Sequence, residues 1–220
     1  MLAERNKGGE DTMRNVFIYW DNSNIFIEAQ RLAEQVENSP NARQLVRIQF
    51  ENMYELARAG REVGNAVVAG SVPPELRILW NRLENLGIRV ILYDRESPSR
   101  GEQEVPDNYL QKQMLLDGIK NIDNPGTIVL LTGDGAGYEI GNGFHVVLEE
   151  LHAIGWRIEV LSWRNSCRRD MREWVEENGL FIALDDYYHA ITFVEQSRPG
   201  FEISFGRHQS ELDLSDRPIS

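Results

Sequence analysis

Three aspartates of this 220-residue chain stand at the boundaries of apolar-patterned segments, two at the close of one and one at the opening. Asp21 ends the run "VFIYW" and is followed by Asn22, Ser23 and Asn24. Asp134 lies in "TGDGAGYE", directly after the run "TIVLLTG", with Glu139 five residues on. Asp107 opens "DNYLQKQMLLDGIKNI" after Pro106. Carboxylates brought to one place repel one another unless a cation lies between them. Hard oxygen donors with few histidines or cysteines point to Mg²⁺ or Mn²⁺. Such an ion activates water and stabilises charge on a phosphodiester. Each aspartate also has a simpler reading. Asp21 is a turn or helix-cap residue, Asp107 an N-cap, and "GDGAGYEIGNG" a loop or a glycine-rich phosphate cradle. It is not a dinucleotide fingerprint, because no G-x-G-x-x-G opens a helix directly after the first strand.

The elements that must position these residues alternate. Five short Val-, Ile- and Leu-rich segments read as buried strands: 16–20, 65–71, 89–94, 127–133 and 157–163. Near-continuous apolar character suits parallel strands covered on both faces. Helical spacing is read over 25–37, 42–60, 73–87, 107–122 and 144–155, with prolines at 73 and 74 and glycines at 60 and 87 as start and stop signals. The expected architecture is a three-layer α/β fold with a mainly parallel sheet. Open sheets of this kind bind ligands at the carboxyl ends of their strands, where Asp21 and Asp134 fall. Asp117, ten residues past Asp107, is rotated well off that face by helix geometry and reads as outside the ligand set.

Composition bounds the reading. The chain is 41% apolar and 26% charged, as expected of a globular protein with a substantial core. A net charge of −12 argues against a passive nucleic-acid coat, which needs clustered Lys and Arg. It is compatible with an acidic cleft that metal ions fill. The single cysteine, Cys167, allows no intramolecular disulfide and suits a reducing cytosol, so a cytoplasmic location is expected. No apolar run is long enough for a membrane span, and no internal repeat is visible. Residues 1–13 read as a flexible lead, 14–195 as one domain with C-terminal helical decoration, and 196–220 as a polar tail that is mobile or binds a partner.

The motifs together resemble the NYN domain family, a branch of the PIN-like nucleases. The resemblance is carried by "VFIYWDNSNIFIEAQR", "GSVPPELRILWNRLENLGIRVILYDR", "GEQEVPDNYLQKQMLLDGI" and "TIVLLTGDGAGYEIGNGFHVVLEELHAIGWRIEVLSW". It covers roughly residues 14–192. It implies a five-stranded PIN-like sheet in the order 3-2-1-4-5. It also implies a divalent-metal-dependent endoribonuclease that hydrolyses RNA, expected to be single-stranded, by water attack on a phosphodiester. Asp21, Asp107 and Asp134 match the family's metal-binding aspartates, and Asn24 matches the asparagine of its first loop. Glu139 occupies the place of an additional acid. Two positions depart from the family pattern: Pro106 splits the usual Val-Asp pair, and Asn108 stands where some members carry a second acid. These departures motivate the alternative of a catalytically weak RNA-binding or regulatory adaptor with a degenerate site.

Substrate contacts are expected from Ser23 and Ser71 at strand ends, from Arg95, Arg100 and Lys112 near the third strand and the acidic helix, and from Arg164, Arg168 and Arg169 after the fifth strand. The competing reading of the basic residues is a solvated helix face. Trp20 and Trp163 read as core residues. A homodimer, formed through an exposed apolar helix face or the tail, is a further expectation.

Overall fold

The computed structural model describes residues 14–71, 77–93, 104–133, 143–196 and 206–220. In chain order the elements are β1 (Val16–Asp21), α1 (Asn22–Val36), α2 (Ala42–Leu45), β2 (Val46–Ile48), α3 (Phe50–Arg58), β3 (Val63–Ser71), α4 (Arg77–Asn85) and β4 (Arg89–Tyr93). There follow α5 (Glu104–Lys120), β5 (Thr127–Leu131), α6 (Phe144–Ala153), β6 (Arg157–Ser162), α7 (Arg169–Asn178) and β7 (Leu180–Ala183). A 3₁₀ turn (Leu184–Tyr187), α8 (Tyr188–Ile191) and β8 (Thr192–Val194) complete the order.

Six parallel strands form one sheet in the order β4-β3-β1-β5-β6-β7. The five strands expected from the sequence stand in the expected 3-2-1-4-5 order, and β7 adds a sixth at the β6 edge. β1 is central. Side chains alternate across a strand, so β1 serves two cores. Ile18 and Trp20 pack in one cluster with residues of α1, α3 and α4, while Phe17 and Tyr19 pack in the other with residues of α5, α6 and α7. This is the expected three-layer arrangement. Trp20 and Trp163 are core residues, and the Trp163 indole donates to the Ile25 carbonyl at 3.0 Å.

Two expectations need correction. The single helix read over 42–60 is broken: β2 lies inside it and pairs antiparallel with β8. The C-terminal decoration is not all helical, because it contains β7 and β8. β7 follows Gly179, where a Cβ would lie 2.4 Å from the Ile158 carbonyl oxygen, so glycine lets this edge strand close on β6.

Residues 206–220, whose polar composition reads as mobile, lie back on the body of the fold. Arg207 forms a bridge with Val194 and donates to Thr192 Oγ1 at 2.8 Å and Glu37 at 2.7 Å. Arg217 is buried and reaches Glu159 at 2.7 Å, and Arg61 grips the same carboxylate through both oxygens. Among the described residues no helix is long and apolar enough to cross a membrane. The exposed apolar helix face expected from the sequence is present on α5 at Leu115, Leu116 and Ile119, with Ile122 exposed just past its end.

Candidate active site

β1 delivers Asp21 to the carboxyl edge of the sheet, 1% exposed and between two neighbouring strands. Its backbone is in register with Ala69 of β3, and Trp20 before it is in register with Leu131 of β5. Asp21 is also the N-cap of α1. Its Oδ1 accepts from the Asn24 backbone N–H at 3.3 Å, and its Oδ2 accepts from the Asn24 side-chain amide at 2.5 Å. Turn chemistry and a fixed carboxylate are therefore the same feature. The cap starts α1 at Asn22, three residues earlier than the sequence spacing suggests, and Asn24 sets the orientation of the carboxylate plane.

The end of β5 closes on this turn. A Cβ at Gly133 would come within 2.8 Å of Asn24 Cβ and 3.0 Å of its carbonyl oxygen, so only glycine permits the approach. Ser162, buried at the end of β6, donates to the Gly133 carbonyl at 3.3 Å and fixes the loop's entry. Thr132 directly follows β5; its hydroxyl oxygen is buried without a hydrogen-bond partner. Gly133 and Ser162 were not singled out from the sequence, whereas Thr132 reads there as a polar residue at the end of the fourth strand. The one visible signal is the pair Thr132-Gly133 immediately after an apolar run.

α5 brings Asp107. The helix begins at Glu104, so Asp107 sits in its first turn rather than at the N-cap, and Pro106 falls where a missing N–H costs nothing. Asp107 is half-buried. α5 is the crossover from the carboxyl end of β4 to the amino end of β5, and Leu110 and Met114 pack on Tyr19, Val67 and Ala69. Asp117, farther along, receives the Tyr19 hydroxyl at 2.8 Å. Asp107 precedes Asp117 by about 15 Å of helix, towards the edge where Asp21 follows Tyr19 by two residues. Asp21 and Asp107 therefore belong to one edge. Asp117 does not: it faces the sheet, bonded to Tyr19 and Asn65, but the length of helix between it and Asp107 carries it away from that edge.

The remaining expected residues divide. Asp134, Glu139, Arg95 and Arg100 lie outside the described residues. Ser71 ends β3 at the same edge, in register with Tyr93. Ser23 is half-buried in the first turn of α1. Lys112 is exposed and lines a groove between α5 and α6 with Asn108, Gln111 and Glu150. Arg164 is held by acids: its guanidinium meets Asp186 at 2.5 Å and its backbone N–H meets Asp185 at 2.8 Å. Asp186 and Asp185 keep this guanidinium firmly protonated. Arg168, Arg169 and Arg172 pair with Asp170, Glu173 and Glu176.

Among the described residues no group of three or more His, Cys, Asp or Glu could hold a metal. The donors present at the edge are nonetheless of the right kind. Asp21 is a fixed, buried carboxylate, Asp107 approaches the same edge, and the Thr132 hydroxyl oxygen just past β5 is buried without a hydrogen-bond partner. A hard divalent cation takes such oxygens.

A family model described as NYN domain matches residues 15–185 of the chain. No curated protein matches it.

Proposed function

Because the chain belongs to the NYN domain family, a PIN-like nuclease family, we propose that it is a metal-dependent endoribonuclease acting on single-stranded RNA. The observation that carries this reading is Asp21, a buried carboxylate fixed through both oxygens at the end of the central strand. Asp21, Asp107, Asp134 and Glu139 would hold Mg²⁺ or Mn²⁺. The ion supplies charge stabilisation on the phosphate and a lowered water pKa.

The chain's own residues supply position. Asn24 holds the Asp21 carboxylate in one orientation, so it does not have to be ordered during the reaction. Gly133 and Ser162 fix the backbone just past β5, one residue before Asp134 in the sequence. Lys112, exposed on α5, and Ser23 and Ser71 at the edge are the substrate contacts, joined by Arg95. Arg164 serves as one only by giving up Asp186. In the reaction, water oxygen bonds to phosphorus, the P–O ester bond breaks, and the departing oxygen takes a proton.

A second reading, an RNA-binding adaptor with slow or no turnover, rests on Asn108. It is exposed on α5 beside Lys112, where some family members carry an acid. Incubation of the purified protein with end-labelled single-stranded RNA and Mn²⁺ separates the two. The nuclease reading predicts internal cuts that chelation abolishes. It also predicts a loss of at least about 100-fold in Asp21→Asn, since the carboxylate is asked for several kcal/mol. Metal-independent binding without cleavage would establish the adaptor instead.

A further inference from the structure

Asp117 is the acid on α5 that the metal site does not use, yet it is 6% exposed. Three donors from three elements converge on its Oδ2: the Tyr19 hydroxyl of β1 at 2.8 Å, the Asn65 amide of β3 at 2.6 Å, and the Gln113 amide of α5 itself at 3.1 Å. Lys120 stands 4.0 Å from its other oxygen. Burial pushes the Tyr19 hydroxyl far above its usual pKa, and the Asp117 carboxylate adds to the shift, so Tyr19 remains a donor at any working pH. Buried hydrogen bonds to a charged acceptor are strong, and an unpaired partner is costly.

The cross-link has a particular placement. Tyr19 lies two residues before Asp21 on the same face of β1, and Asp117 lies on the helix whose first turn carries Asp107. We propose that Asp117 is a positioning residue of the candidate metal site, fixing the axial register of α5 against β1 and hence Asp107 against Asp21. The proposal rests on the metal-site reading given under Proposed function. One residue of slippage moves a helix 1.5 Å along its axis, more than ligand geometry around a small divalent ion tolerates. Apolar packing by Leu110 and Met114 holds α5 down on the sheet, while directional hydrogen bonds to β1 and β3 resist sliding.

The test measures Mn²⁺ affinity by calorimetry, steady-state RNA cleavage and thermal unfolding in the whole chain. Asp117→Ala is expected to weaken Mn²⁺ binding about tenfold or more, the scale seen when groups supporting metal ligands are removed. It should lower kcat more than it raises KM. Asp117→Asn, which keeps an acceptor, restores part of the loss, and Tyr19→Phe gives a smaller loss in the same direction. Val175→Ala, in the buried face of α7, is the control for lost stability and should leave Mn²⁺ affinity unchanged. Wild-type Mn²⁺ affinity in Asp117→Ala overturns the proposal. If that variant does not fold, wild-type affinity in both Asp117→Asn and Tyr19→Phe overturns it. An equal affinity loss in Val175→Ala also does so. Asp21→Asn tells the two readings apart: if it binds Mn²⁺ as the wild type does, the metal-site reading falls and takes this one with it. If it loses the ion while Asp117→Ala keeps it, only the positioning role falls.

Discussion

Asp21 does two things that usually belong to different residues: it caps a helix and presents a carboxylate at a sheet edge. Removing the carboxylate costs cap energy of about 1 kcal/mol, too little to explain a large loss of turnover in a folded variant. Asn24→Ala provides the finer test at this scale. It leaves the cap bond from the backbone N–H and removes the 2.5 Å side-chain bond. Asn24→Ala is expected to melt within a few degrees of the wild type and to cleave RNA at least about tenfold more slowly. An unchanged cleavage rate in that variant would mean that carboxylate orientation is not limiting. Gly133→Ala makes the opposite kind of change. Its Cβ has backbone, not a flexible tip, in its way, so the loss should be about 1–3 kcal/mol of stability, read by urea unfolding, together with slower cleavage. Asp21 was legible in the sequence as a polar residue at the end of an apolar run, Asp107 as the opening of a helical pattern after Pro106, and Asn24 through the family resemblance. Gly133 and Ser162 were not, because a close approach between β5 and α1 is a property of three-dimensional packing.

Among the elements, the legible ones carry their signal locally. The strands β1, β3, β4, β5 and β6 are apolar runs with polar punctuation, and their order follows from the family pattern they match. β2 was hidden because "ARQLVRIQFENMYELARAG" keeps helical spacing throughout. What makes Val46–Ile48 a strand is β8, nearly 150 residues later: the Arg47 guanidinium meets Glu195 at 2.7 Å across that pair. β7 was hidden for a different reason: Leu180–Ala183 is only four residues long and follows α7 directly after Gly179. Non-local pairing overrides propensity in a segment like β2. Cutting the tie should therefore act on β2 specifically. Phe193→Pro in β8, which removes the backbone N–H of the residue paired with Arg47, should raise amide exchange in Val46–Ile48 while β1 and β5 keep wild-type protection. Loss of protection throughout the sheet would show that the small β2–β8 sheet is part of the main folding unit.

At the scale of the molecule, charge shapes both stability and substrate access. Glu159 is fully buried between Arg61 and Arg217, and the Ser220 N–H donates to it as well. Burial alone would raise the pKa of this carboxyl. The hydrogen bonds and charges of the two guanidinium groups outweigh it and hold the carboxyl below its usual value. The unfolded chain takes up this proton near pH 4.5, the folded protein only at lower pH. The contribution to stability is complete above that value and is lost as pH falls through the folded pKa. Glu159→Gln should cost about 3–5 kcal/mol at neutral pH, because two buried guanidinium groups lose their counter-charge. It should also flatten the acid limb of the stability curve below about pH 4.5, measured by urea unfolding. On the outer surface, a net charge of −12 and the pairing of Arg164, Arg168, Arg169 and Arg172 with acids leave little positive field for RNA. The affinity for single-stranded RNA should accordingly fall only gently with salt, with a log–log slope of about −1 to −2. A slope several times steeper would show a basic track that these pairings conceal.

The account stands on one claim, that the carboxyl edge at Asp21 holds a divalent ion. Anomalous scattering from crystals grown with Mn²⁺ tests it without reference to turnover. The expected result is a peak about 2.0–2.3 Å from a carboxylate oxygen of Asp21, shared with Asp107 and lost in Asp21→Asn. Ordered density for Asp21 and Asp107 with no ion between them, at Mn²⁺ concentrations that support cleavage, would contradict it.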